Sequence, residues 1–329
     1  MDPNMDILTG GQNGQLAANG SVAARLLSSG MNVNALRTND VLRKDEWIAY
    51  DTAIVEVARE RLIGVADLLG RGLRFDLNNA LGTTKLEWEK ISDMTPAEMS
   101  MSGITPGEKD RQIFELEGMP IPLTHKEFSI NIRTLMASRT TGQPLDTTQA
   151  AMASRLVSER TEDLLFNGAT IGGPNSNIYG YLTAPDRNVG SVTANWATAT
   201  GEQIVSDVLS MIDDAVADHM YGPYMIYVPY GAFVHMGDDF KANSDKTILQ
   251  RVKEIPGIID VRPSSRFGGN NVVMVQMTSD VVDMVVGQQP VPIMWDSNGG
   301  MTTNFKVISI MVPRIKADMK GQSGIVHYS

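Results

Sequence analysis

Two alternating runs joined by a long polar loop constrain this chain more than any other feature. TTKLEWEKI, residues 83–91, sets Leu86, Trp88 and Lys90 on one side and Lys85, Glu87, Glu89 and Ile91 on the other. RQIFELEG, residues 111–118, alternates likewise, with Ile113 opposite Phe114. A period of two predicts strands. The segment between them, SDMTPAEMSMSGITPGEKD, is rich in Pro, Gly, Ser and Met and far longer than a tight turn needs. A two-stranded ribbon is marginal in water unless it lies on a surface. If it cannot lie on its own domain, it should lie on another subunit.

The sequence around the ribbon alternates between helix and strand patterns. Residues 1–40 form an arm, rich in asparagine and glycine and without aromatics. Within it only VAARLL (22–27) has the makings of a helical turn or two; the rest buries too little apolar area to offset its ordering entropy. Trp47, Ile54, Ala58, Leu62, Val65 and Leu69 recur at helical spacing up to Gly70. IPLTHKEFSINIR (121–133) predicts one more strand. LDTTQAAMASRLVSERTEDLLFNGA (145–169) then predicts a long helix, with Asp146 and Gln149 as a capping box and Gly168 as its stop. Ala150, Ala153, Val157 and Leu164, flanked by Met152, Leu156 and Leu165, make its apolar side; Arg155, Ser158, Glu159, Glu162 and Asp163 make the polar one.

Beyond a loop at 172–188, TGEQIVSDVLSMIDDAVADHM (200–220) is a second capped helix. Its box is Thr200 and Gln203, its apolar stripe Ile204, Val208, Ile212 and Val216, and its wet face Asp207, Asp213, Asp214 and Asp218. YMIYV and NVVMVQM predict buried strands, and KTILQRVKEI a short helix stopped at Pro256 and Gly257. VVDMVVG, VPIMW, NFKVISIMV and GIVHY predict closing strands. With few strand–helix–strand crossovers, the class is α+β.

Patterns that carry chemistry are missing. The chain has no cysteine, so disulfides and thiolate metal sites are unavailable. His125, His219, His235 and His327 form no HxxxH or HxH pair. No phosphate loop, dinucleotide fingerprint or nucleophile elbow occurs. Asp213-Asp214 and Asp238-Asp239 sit on a helix face and in a turn, where solvated charge is the better account. No catalytic residue, metal or cofactor is therefore expected. A net charge of −10 argues against a free-standing nucleic-acid binder, though not against a wall that encloses nucleic acid. The opening MDPNMDILTGGQNG has no basic or apolar leader region, so no signal peptide is expected, and no apolar run is long enough to span a membrane. What is left is an arm and a long hairpin that cannot bury themselves beside a bare helix, which points to an assembly subunit.

The order of these elements resembles the Hong Kong 97 fold of tailed-phage major capsid proteins and encapsulin shells. The resemblance, closest to the encapsulin-like branch, rests on PIPLTHKEFSINIR running into LMASRTTGQPLDTTQAAMASRLVSERTEDLLFNGA, then SNIYGYL, GPYMIYVPYGAFVHM, ILQRVKEIPGIIDVRPS and NFKVISIMVPRIKADM. It implies an N-terminal arm (1–40), a peripheral domain (41–75 and 134–194) with a spine helix at 146–167, and an extended E-loop with its return strand (76–133). An axial domain (195–295) and return strands of the peripheral domain (296–329), the last of which could rejoin the axial domain, complete the plan. It implies a major capsid protein assembling with itself through pentamers and hexamers into an icosahedral shell around a double-stranded DNA phage genome. The alternative it implies is a nanocompartment enclosing cargo enzymes. The shell would hold DNA without sequence-specific contacts, with a scaffolding, portal or decoration protein as further partners, no membrane, and assembly in the host cytoplasm into the virion. Leu86, Trp88, Ile113 and Phe114 would bury against a neighbour, with Lys90, Lys109 and Arg111 as rim contacts. Some relatives cross-link a loop lysine to an asparagine; Lys85, Lys90, Lys109 and Asn304 are candidates, and no cross-link is expected.

Overall fold

The structure, a computed structural model, describes residues 44–91, 101, 114–141, 147–172, 176–241 and 245–329. The chain falls into two compact units. The first holds the described residues of 1–84 with 121–166 and 283–314; the second holds 85–120, 167–282 and 315–329.

The first unit is a four-stranded sheet in the order β1 (Arg74–Asp76), β11 (Val282–Ser297), β12 (Thr302–Ile315), β4 (Thr124–Asn131), with helices α1 (Lys44–Arg61), α2 (Ile63–Gly70), α3 (Ile132–Thr141) and α4 (Thr148–Asn167). Its core joins Tyr50 and Ile54 of α1, Ala150, Ala153 and Val157 of α4, and Met294, Phe305 and Val307 of the sheet. Phe305 stacks on Tyr50 and on Phe128, with centroids 5.4 and 5.0 Å away, and those two rings lie 6.3 Å from each other. Each such side chain contributes about 2 kcal/mol by leaving water.

Two expectations for this unit fail for one reason. The helix expected to run to Gly70 breaks at Leu62, and Glu162, expected on the wet side of α4, is buried. The Glu162 carboxylate accepts the Gly64 and Val65 N–H groups at 2.6 and 3.2 Å, so it caps α2, whose own N-cap, Leu62, has no side-chain oxygen. An anion there also meets the positive end of the helix dipole. Ser154 and Ser158 are buried too, Ser154 donating to the Ile54 carbonyl at 2.7 Å, whereas Met152 and Leu156 are exposed. The small hydroxyls let α1 approach closely, which turns α4 away from the expected orientation. Asp146 lies outside the described residues. The strand expected over 121–133 ends at Asn131, and the chain continues as α3.

The second unit carries a five-stranded sheet, β7 (Asn188–Gly190), β13 (Ile325–Tyr328), β10 (Val272–Gln276), β8 (Tyr224–Pro229), β9 (Ile258–Ser264). Every position of β8, β10 and β13 is buried, which accounts for their unbroken apolar sequence. Helices α5 (Gly201–Ala217), α6 (Tyr230–His235) and α7 (Ile248–Lys253) belong to the same unit, as does the short antiparallel pair β5 (Ala169–Thr170) and β6 (Asn177–Ile178). The expected capping box of Thr200 and Gln203 is formed, and Ile204, Val208, Met211 and Ala215 face the core. Val216 is exposed instead, and Asp207, expected on the wet face, is buried. Its carboxylate accepts from the Trp196 indole at 2.8 Å and the Thr193 backbone at 3.1 and 3.2 Å.

Two of the expected ranges are divided between the units. VVDMVVG and VPIMW are one strand, β11, which pairs with β1 in the first unit's sheet rather than joining the 195–295 segment. The range 296–329 divides: β12 pairs with β4, while β13 pairs with β10 and β7 in the second unit. The hairpin strands also belong to the second unit, and β4 to the first.

Candidate assembly surface

The ribbon consists of β2 (Lys85–Ile91) and β3 (Phe114–Pro120), antiparallel from Lys85↔Pro120 to Ile91↔Phe114. Paired residues share a face, so Leu86/Met119, Trp88/Glu117 and Lys90/Glu115 point one way. The first two pairs and Lys90 form the covered side: Met119 is buried, and Leu86, Trp88, Glu117 and Lys90 are partly buried. Lys90 Nζ lies 3.1 Å from Glu117 Oε2 and 3.7 Å from Asp186 Oδ2, with its side chain only 16% exposed. That triad ties the ribbon to the loop before β7, within the second unit. The expected ribbon therefore rests on its own chain along one face.

The opposite face carries Lys85, Glu87, Glu89, Phe114 and Leu116. Phe114 is 56% and Leu116 64% exposed, and Lys85 pairs with Glu87 at 2.6 Å. Two large apolar side chains standing among charges at the end of a two-stranded ribbon form a surface suited to burial by another molecule.

The sequence-derived contact set separates accordingly. Phe114 stands on the exposed face. Leu86, Trp88 and Lys90 share the covered one, and Lys90 is engaged by its own chain's carboxylates. Lys109, Arg111 and Ile113 lie outside the described residues. Leu116 was missed, although the alternation Phe114-Glu115-Leu116-Glu117 places it beside Phe114 once the strand register is known. Of the cross-link candidates, Asn304 donates its amide to Ser297 at 2.8 Å. Among the described residues no cluster of three or more metal-ligating side chains occurs, and no helix is long and apolar enough to cross a membrane.

Residues 34–328 match the pattern of a family described as a family of unknown function (DUF6260). The chain belongs to that family. Members of better-known groups are similar to it at low identity. The type 1 encapsulin shell protein EncA of Myxococcus xanthus (strain DK1622) is 22% identical over 282 residues, 84% of this chain and 90% of that protein. The diheme-cytochrome-encapsulin shell fusion protein of Kuenenia stuttgartiensis is 23% identical over 290 residues, 88% of this chain and 73% of that one. Among solved structures, a virus-like particle from Pyrococcus furiosus superposes with a TM-score of 0.62 at 19% identity, covering 86% of this chain and 99% of that one. The capsid of Myoviridae phage XM1 also reaches 0.62, at 12% identity, covering 80% and 91%. This DUF6260 chain thus has the Hong Kong 97-type fold and is similar in sequence to encapsulin shell proteins.

Proposed function

We propose that the chain is a shell subunit that associates with itself, through pentamers and hexamers, into a closed icosahedral particle enclosing a double-stranded DNA phage genome. The observation that carries self-association is the outward face of the β2–β3 ribbon, where Phe114 and Leu116 stand exposed while the opposite face is covered by the chain itself. The fold supports it, since the solved structures that share it are particle and capsid subunits. In this reading the ribbon is the E-loop, the first unit corresponds to the peripheral domain, with α4 as its spine, and the second to the axial domain. Each ribbon lies on a neighbour, and modest contacts repeated around a closed shell sum to a stable particle. DNA is held by enclosure, without sequence-specific contacts, which suits a net charge of −10. A scaffolding, portal or decoration protein is the further partner, and the particle forms in the host cytoplasm.

A second reading, an encapsulin-type nanocompartment enclosing cargo enzymes, is favoured by the two encapsulin relatives. Electron microscopy of the full chain expressed alone, with absorbance at 260 and 280 nm, separates the two. Sheets, tubes or shells of mixed size support a capsid lacking its partners; small uniform shells support the nanocompartment. A clean monomer at high concentration refutes both.

A further inference from the structure

We propose that the apolar groove between the helix pair α1–α2 and the β11–β12 strands is the seat of the chain's own N-terminal arm, through residues 22–27, VAARLL. The groove has a volume of about 350 Å³ and lies wholly within the first unit. Val55 and Ala58 of α1, Ala66 and Leu69 of α2, and Pro290 and Met311 of the strands line it, with the exposed Gln289 at its rim. An apolar concavity of this size binds best by taking in apolar side chains.

The strand beside the groove restricts what shape an occupant can take. The Met284 N–H donates to the Leu73 carbonyl of the segment entering β1, and the Val286 carbonyl accepts from the Leu77 N–H, so Met284 and Val286 face that edge. β1 covers the edge only at Met284, Val285 and Val286. Further along the same strand, residues 290 and 292 are both proline and donate nothing. A strand pairing along this stretch meets a backbone that lacks two N–H groups, whereas a helical turn inserting side chains loses nothing.

The arm fits that requirement. In VAARLL the pairs Val22/Leu26 and Ala23/Leu27 are four residues apart and share one helical face. The arm joins α1 at Lys44, and Val55 lies about 16 Å along that helix. Residues 28–43 extend to roughly 50 Å, so reach is not limiting. Tethering also gives the segment an effective concentration in about the millimolar range, which populates even a weak contact. The inference does not depend on shell formation.

Because the chain has no cysteine, one engineered pair reads the contact cleanly. In full-length protein carrying Leu26→Cys and Ala66→Cys, mild oxidation is expected to give a reducible link within one chain, while Asn4→Cys with Ala66→Cys does not. Trypsin supplies a second reading, since Arg25 lies inside the docking segment and Arg37 outside it. Arg25 should be cut roughly tenfold more slowly than Arg37, and Ala66→Trp, which fills the groove, should abolish that difference. Linkage no greater than in the Asn4 control overturns the proposal. So does linkage only between chains, which assigns the groove to a neighbour's arm, and so does equal cutting at Arg25 and Arg37. An oxidised link with an added or co-purified peptide in place of Leu26 assigns it to a foreign partner and overturns it as well.

Discussion

Replacing Phe114 and Leu116 together by serine should weaken assembly without unfolding the ribbon. The two side chains are 56% and 64% exposed, so each offers on the order of 100 Å² of apolar surface to a neighbour. At about 25 cal/mol per Å², complete burial of both gives roughly 5 kcal/mol. Ordering the ribbon and imperfect coverage reduce this to about 2–3 kcal/mol per contact. Each 1.4 kcal/mol is tenfold, so the concentration at which particles appear should rise about 30- to 100-fold. The assay is a dilution series followed by light scattering and electron microscopy, beside a Glu89→Ser control on the same face. Circular dichroism and proteolysis of the dilute subunit should be unchanged, because neither side chain supports its own chain's core. Particles appearing at the wild-type concentration would refute the assignment of this face, and an equal loss in Glu89→Ser would show that apolar burial is not the cause.

Other perturbations probe the frame that holds the ribbon. Glu162→Ala leaves two buried N–H donors of α2 unsatisfied and should cost about 3 kcal/mol, with Glu162→Gln costing about half, read by thermal unfolding; an unchanged midpoint would show that water caps the helix equally well. Gly168 has φ +68, and a Cβ there would come 2.3 Å from the Ile178 carbonyl oxygen, so Gly168→Ala should cost at least about 2 kcal/mol and Gly168→Asn nearly as much. Equal stability would place the end of α4 elsewhere. His327 is held below its ordinary pKa by burial and by the neighbouring Arg187, with Asn271 at its other nitrogen. Its folded state therefore takes up a proton less readily than the unfolded one, and its contribution is present above about pH 6.5 and lost as the pH falls through the lowered value. His327→Gln should flatten that part of the stability profile; an unchanged slope would assign it to carboxylates.

The sequence shows most clearly what local pattern controls. Thr200 and Gln203 are three residues apart and cap α5 as expected; the apolar runs of β8, β10 and β13 are the buried strands. The errors fall where a polar side chain has a distant partner. Glu162 meets Gly64 at a separation of 98 residues, and Ser154 meets Ile54 at 100. Periodicity assigns a carboxylate to the wet side because solvation is its usual means of satisfaction. A backbone N–H pair at a helix start satisfies it as well, and no pattern within α4 announces that helix start. The helix α3 escaped for the converse reason: IRTLMASRTT has little amphipathic contrast, so its sequence does not separate it from the preceding strand.

The ribbon shows how far one missing datum reaches. Alternation places Leu86, Trp88 and Lys90 together but cannot say whether their side faces the chain or a neighbour, because both faces carry apolar and charged residues. Electrostatics settles it once the fold is known. Lys90 is a largely buried ammonium, costly to hold without counter-charges, and Glu117 and Asp186 supply them from its own unit. A lysine already engaged in this way has little to gain from an intersubunit rim contact and would lose its existing partners in making one. Phe114 and Leu116 have no such internal satisfaction and lower their free energy only by leaving water. The interface should therefore lie on the side with Phe114 and Leu116, and the triad on the other side holds the ribbon in place to present them.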